Sequence, residues 1–269
     1  MNNRQWGRLA ACAGLAVPLL LAANAFAQQT VPFNPSANPG AGRGRGRGRG
    51  PAQTAKQAAP IDMTGYWVSV VTEDWKFRMV MPKKGNYSGV PLNAEGRKVA
   101  NTWDPAKDEA DGNQCRSYGA AGLMRDPGRL HITWDNDSTM KIETDAGTQT
   151  RVFHFGGKDA DAGAPSWQGY SVAQWEAATT GRGQPKAGDL KVVTTHLLPG
   201  YLRKNGVPYS ANTILTEYYD RISDPSGEWL VVTTEVKDPQ YLSSPFITST
   251  HFRKQPDAKG WMPEACSAK

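Results

Sequence analysis

Few residues of this chain have chemistry to offer, and they fall into three groups. Four histidines, His131, His154, His196 and His251, each lie in a stretch that reads as a strand. Imidazole binds zinc, copper, iron or nickel, and it carries protons near neutral pH. No two of the four are spaced as H-x-H or H-x-x-x-H, so a shared metal would need tertiary convergence. A strand histidine more often hydrogen-bonds on a sheet surface, and the four remain weak metal candidates. The pattern asks for no cofactor.

The second group centres on Glu217. In TILTEYYDR, period-two alternation sets Glu217 on the same strand face as Leu215 and Tyr219. A carboxylate buried without a partner is costly, so it pairs with a cation or its pKa rises. Arg203, on the preceding arm of the same hairpin, is an available partner. Turned into an interior, Glu217 would bind a polar ligand or act as general acid or base with His196 or Tyr209. The plainer reading is an Arg–Glu pair that sets strand register. Glu235 repeats the pattern in milder form with Trp229, Val231 and Thr233, while Glu143 shares an ordinary solvated face with Lys141 and Asp145.

The third group is the stretch YLRKNGVPYS, residues 201–210. Asn205-Gly206 is the strongest short turn signal in the chain. Pro208 cannot donate to a ladder, so 207–210 should leave the main sheet and form a lip. Tyr201, Arg203, Lys204, Tyr209 and Ser210 then crowd one rim, and barrel mouths are where small ligands enter. The expected ligand contacts are Tyr201, Arg203, Tyr209, Glu217 and His196. No G-x-S-x-G nucleophile elbow occurs, and GRGRGRG lacks the strand–helix context of a nucleotide fingerprint.

The elements that must position these groups are nearly all strands. TGYWVSVVT (64–72) and WKFRMVMP (75–82) are rich in β-branched and aromatic residues. RLHITW, TMKIETD and TQTRVFHF follow one another across short Asp/Asn/Gly turns, which reads as a meander. SWQGYSVAQWE, DLKVVTTHL, TILTEYYDR, EWLVVTTEV and PFITSTHFRK complete about ten strands. One helix stands out, in 91–103, with Asn93 as N-cap and Glu95 in its first turn. The expected fold is all-β: a single antiparallel β-barrel or strongly curved sandwich with one short helix and long loops.

WQGYSVAQWE, LKVVTT, GYLRKNGVPYS, TEYYDR, WLVVTTEVKDPQYLSSPF and a terminal cysteine together carry a resemblance. From Ile61 to Cys266 the chain resembles a large group of exported, uncharacterised bacterial β-rich proteins of lipocalin-like (calycin-like) appearance. The resemblance implies a barrel and an exported location, and it implies no particular activity.

Three segments are expected. Residues 1–27 read as a secretory signal peptide, with Arg4 and Arg8, an apolar run from Leu9 and the Ala25-Phe26-Ala27 cleavage site. Leu9-Ala10-Ala11-Cys12 has the form of a lipoprotein box but no hydrophobic run ahead of it. Residues 28–60 hold no acid and few large apolar residues, and read as a disordered Arg/Gly/Pro-rich linker. Residues 61–269 form the folded domain. Seven of the 31 basic residues and none of the 25 acidic ones precede residue 61, leaving 24 against 25 in the domain. A polyanion partner such as nucleic acid is therefore not expected for it, and Arg43, Arg45, Arg47 and Arg49 suit contact with an anionic envelope surface instead. With the signal removed, Cys115 and Cys266 remain, an even pair that reads as one disulfide in an oxidising compartment.

The expected protein is thus an exported, periplasmic or extracellular barrel that binds a small, partly apolar molecule. Two alternatives stand beside it: a barrel lyase, hydratase or isomerase working through Glu217, and a non-catalytic envelope protein.

Overall fold

The structure, a computed structural model, describes residues 53–178 and 187–269. Its elements in chain order are α1 (Ala55–Ala58), β1 (Gly65–Val70), α2 (Trp75–Arg78), α3 (Ala94–Ala100), α4 (Pro105–Ala110) and α5 (Ala120–Leu123). There follow β2 (Arg129–Asn136), β3 (Thr139–Thr144), β4 (Thr150–Phe155), β5 (Tyr170–Ala178) and β6 (Ala187–Thr195). The chain continues with β7 (Gly200–Arg203), β8 (Val207–Tyr209), β9 (Ile214–Asp224), β10 (Gly227–Lys237) and β11 (Phe246–Gln255).

Nine strands close into a barrel in the order β1-β11-β10-β9-β6-β5-β4-β3-β2, while β7 and β8 form a separate two-stranded sheet. The fold is therefore the expected all-β barrel and not a sandwich. Every barrel pairing is antiparallel except β4 with β5, joined by the long 156–169 connection. Closure removes the exposed strand edges that an open sheet would present.

Alternation dictates which side chains fill the barrel. Leu130, Ile132, Met140, Ile142, Phe153, Leu190, Val192, Leu230, Val232 and Phe252 point inward and pack with Trp67 and Met63. Lys141, Glu143, Val231 and Glu235, each one residue out of phase with these, face outward. Each fully buried aliphatic or aromatic side chain contributes about 1.5–3 kcal/mol. Glu235 thus lies on the outer wall, away from any interior chemistry.

Strand directions bring the loops 71–128, 145–149, 196–213 and 238–245 to one end of the barrel. There they build a cap with its own core, including Tyr87, Leu92, Ala121, Leu197, Leu202, Val207, Tyr209 and Phe246. The β7–β8 hairpin belongs to this cap, off the barrel as the proline argument expected. Cys115 and Cys266 form the expected disulfide across 151 residues, tying the C-terminal segment to the cap.

Two expectations about elements fail. Residues 75–82 are no strand: α2 forms there, because Phe77 packs under the Arg203 guanidinium and the buried Arg78 donates to the Arg125 carbonyl at 2.8 Å. These cap contacts hold the segment off the barrel. The last residues of the expected linker also fold, since α1 docks with the Trp175 indole N–H donating to the Ala55 carbonyl at 2.8 Å. The helix expected in 91–103 forms as Ala94–Ala100, capped by Asn93, whose Oδ1 accepts from the Gly96 N–H at 2.9 Å.

Candidate functional site

Glu217 does face the barrel interior, but its partner is Arg151. On β9 it lies across from Val192 of β6 and Thr234 of β10. Arg151 reaches it from β4 with Nη1 at 2.9 Å from Oε1 and Nη2 at 2.6 Å from Oε2, both side chains being 0 % exposed. The same guanidinium donates to the Tyr219 hydroxyl at 3.3 Å and the Thr194 hydroxyl at 3.3 Å, and Thr194 meets Ser171 at 2.7 Å. Burial alone would lower the Arg151 pKa, but the carboxylate beside it more than offsets this and holds the arginine charged. Burial and Glu217 together push the Tyr219 hydroxyl well above its usual range. Both carboxylate oxygens are taken by one bidentate partner, so the pair fixes the strands it spans. The expected pairing with Arg203 across a hairpin does not form; Glu217 pairs instead with Arg151 across the barrel interior, between strands that are not neighbours in the sheet.

The other expected contacts scatter. His196 follows the last residue of β6 at φ 55°, outside the strand, and its Nδ1 meets the Thr195 hydroxyl at 3.0 Å. Tyr201 donates to Asp108 Oδ2 at 2.8 Å, and Arg116 holds the other oxygen at 3.0 Å. Burial and this aspartate push the Tyr201 hydroxyl above its normal range. Tyr209 is fully buried in the cap core, its hydroxyl so close to Gly119 and Gly200 that a Cβ on either would stand 2.1 or 2.5 Å away. Burial raises its pKa, so its hydroxyl stays protonated.

The histidines do not converge. His131 stacks on Tyr66 with ring centres 4.1 Å apart and meets Glu143 at 3.1 Å. His154 stacks on Tyr170, and His251 meets Glu73 at 3.0 Å. Among the described residues no group of three or more His, Cys, Asp or Glu side chains is placed to hold a metal ion.

Arg203 alone of the expected contacts leads to a cavity. A space of about 220 Å³ opens in the cap, walled by Phe77, Met79, Met81, Pro82, Pro127 and Leu202 on its apolar side. Its polar wall is Arg78, Arg125, Asp126, Arg203, Lys204 and Lys269. Arg78, Arg125 and Arg203 are all buried. Arg203 stacks on Phe77 at 4.3 Å and gives Nη1 to the Ser88 carbonyl at 2.7 Å. Arg125 lies over Phe246 at 5.5 Å and gives Nη2 to Asp74 at 3.2 Å. Arg78 gives Nη1 to Glu73.

Each of these guanidiniums has at least one nitrogen sealed in the cap without a hydrogen-bond partner. Arg203 Nε and Nη2, Arg125 Nη1 and Arg78 Nη2 are buried and have no hydrogen-bond partner among the described residues. Burial and the neighbouring Arg125 bring the Arg203 pKa down to about 10, and burial lowers that of Arg78 despite Glu73. Asp126 is the acid within the cluster: Lys204 Nζ is 3.8 Å from its Oδ2, which accepts no hydrogen bond. Burial raises its pKa to about 6. A cleft lined by several groups with shifted pKa values is where a ligand site is expected.

Arg151 was the residue most open to detection beforehand. In TQTRVFHF it alternates with Phe153, so it stands on an apolar face as Glu217 does. Arg78 ends the one-turn helix α2, and Arg125 and Asp126 lie in an irregular segment, so no periodicity flags their burial. No protein-family model matches the chain, and no curated protein or solved structure matches it.

Proposed function

We propose that this chain is an exported binding protein for a small, partly apolar molecule, and that the molecule is held in the cap cavity beside Arg203. The observation that carries the reading is the lining of that cavity, which mixes Phe77, Met79, Met81, Pro82, Pro127 and Leu202 with Arg78, Arg125, Arg203, Lys204 and Asp126. A lining that joins apolar surface to a few charged groups suits a small, partly apolar ligand with a polar end. The barrel lumen supports the reading less well, because Arg151, Phe153, Tyr219, Trp67 and Phe252 fill it and its one ion pair is internally matched. Export rests on the leader-like residues 1–27, and an oxidising compartment agrees with the Cys115–Cys266 bond. The Arg-Gly stretch is proposed to contact an anionic envelope surface; residues 28–52 lie outside the described residues.

The test is a thermal-shift screen of small molecules on the purified protein and on Met79→Trp. Met79 lines the cavity and is 60 % exposed, so a tryptophan there obstructs the space with little effect on the core. Hits that stabilise the parent and lose their effect in Met79→Trp support the reading. Hits indifferent to Met79→Trp place the site elsewhere and sink it.

A further inference from the structure

One stretch of the cap turns large apolar side chains to solvent while its other side chains hold it in place. In WKFRMVMPKK, residues 75–84, Phe77 lies under the Arg203 guanidinium, Arg78 donates to the Arg125 carbonyl, and Pro82 is buried. Asp74 turns the chain into α2 at φ 49°, a left-handed conformation that non-glycine residues seldom adopt. With those anchors set, Trp75, Met79, Val80 and Met81 stay outside, each 42–60 % exposed. The Met79 N–H donates to the Trp75 carbonyl at 2.9 Å, so these two residues stand one helical turn apart on the same side. Exposed apolar side chains scattered singly are ordinary, but four within seven positions mark a docking surface.

The charges around the patch select its partner. Glu73 pairs with Arg78, Asp74 with Arg125, and Asp126 lies by Lys204, so those groups cancel. Lys84 donates to the Trp103 carbonyl at 2.7 Å, next to Asp104. Lys76 and Lys83 are left as exposed cations, Lys76 with its Nζ 5.7 Å from the centre of the Trp75 ring. No acid occurs from Trp75 to Ala94. Lysine is scarce in the cores of protein–protein interfaces. A tryptophan flanked by lysines instead suits lipid headgroups, where the ring sits at the interface and the ammonium stays among the anions. We propose that residues 75–84 dock the cap on an anionic lipid surface, with Trp75, Met79, Val80 and Met81 entering the headgroup layer and Lys76 and Lys83 meeting its phosphates. This contact belongs to the folded cap and is separate from the one proposed for the Arg-Gly stretch. It needs no ligand in the cavity, although Met79 and Met81 also line that space.

The test is sedimentation of the purified protein with vesicles of phosphatidylcholine and of an equal mixture with phosphatidylglycerol. Arg43, Arg45, Arg47 and Arg49 are replaced by serine throughout, so that the Arg-Gly stretch does not carry the binding. Partition onto the anionic vesicles should exceed that onto phosphatidylcholine about tenfold or more, and should weaken with added salt. Trp75→Ser with Val80→Ser, neither of which lines the cavity, should lower it about tenfold. Lys76→Gln with Lys83→Gln should remove most of the preference for the anionic vesicles. Ile222→Ser, an exposed position at the other end of the barrel, should bind as the parent does. Melting temperatures check that each variant is folded, and the single change Val80→Asp, expected to weaken binding likewise, serves if the double variant is not. Binding that survives the loss of Trp75 and Val80 overturns the proposal, as does a parent that binds neither vesicle. A parent that runs as a dimer in gel filtration, with the double variant a monomer, assigns the patch to a second copy and overturns it too. None of these outcomes decides the cavity reading, which rests on the Met79→Trp screen.

Discussion

Arg151 and Arg203 are both buried arginines, and the protein treats them oppositely. Arg151, in the barrel, meets a carboxylate head-on through both terminal nitrogens and has two hydroxyls besides. Only its Nε is without a partner. Arg203, in the cap, has one carbonyl and the Phe77 ring, and the charges acting on it are Arg125 and Asp74, which pair with each other. The desolvation of Arg151 is offset within the fold; that of Arg203 is not. Burial of charge therefore marks a structural role where the chain itself supplies a bonded counter-charge; where it does not, as at Arg203, a binding role is what is proposed.

The sharpest way to break this contrast is Arg151→Leu. It leaves Glu217 charged and alone in the barrel, and should lower unfolding free energy by about 3–5 kcal/mol in chemical denaturation. Adding Glu217→Leu should restore most of that loss. If the double variant is as unstable as the single one, the pair is not the self-contained unit described. Next in size is Cys266→Ser, which opens the 151-residue closure and should cost on the order of 4 kcal/mol. It should loosen the cap that holds the cavity, and amide exchange should rise there before it rises in the barrel.

Asp126→Asn should stabilise the protein at pH 7 by at most about 3 kcal/mol. A carboxyl raised from 3.8 to about 6 favours the folded state below about pH 4 and loses that contribution as pH climbs through 6. The advantage of the Asn variant should therefore be absent near pH 4 and complete above pH 6, as read from melting temperatures across that range. Smallest of all should be Arg203→Gln. Removing a buried charge that the fold does not match should change stability by no more than about 1 kcal/mol, in contrast to Arg151. A loss as large as that of Arg151→Leu would show that Arg203 is structural after all.

Much of the barrel was legible from alternation. TMKIETD, TILTEYYDR and EWLVVTTEV each form a strand, and Met140, Ile142, Leu215, Tyr219 and Val232 are buried as their phase requires. The Asn93 cap, the off-barrel hairpin and the Cys115–Cys266 bond follow equally local or compositional rules. WKFRMVMP misled because its aromatic and branched residues suit a strand, whereas Phe77 and Arg78 are held by cap partners 47 to 126 positions away. The candidate site was half legible. Glu217 and Arg203 stood out singly, but the pairing proposed between them joined residues of two different cores.

By itself the sequence determined the strands, their inward faces and the separation of a basic, Arg-Gly-rich stretch from a near-neutral domain. These depend on side-chain period and composition, which act over a few residues. Only the tertiary structure decided which cation meets Glu217 and which arginines are left without one. Barrel closure sets β4 and β9 across a shared interior, and α2, the 124–128 segment and β7 bring Arg78, Arg125 and Arg203 around one cavity. The Arg151–Glu217 pair joins residues 66 positions apart, and no local rule carries that information.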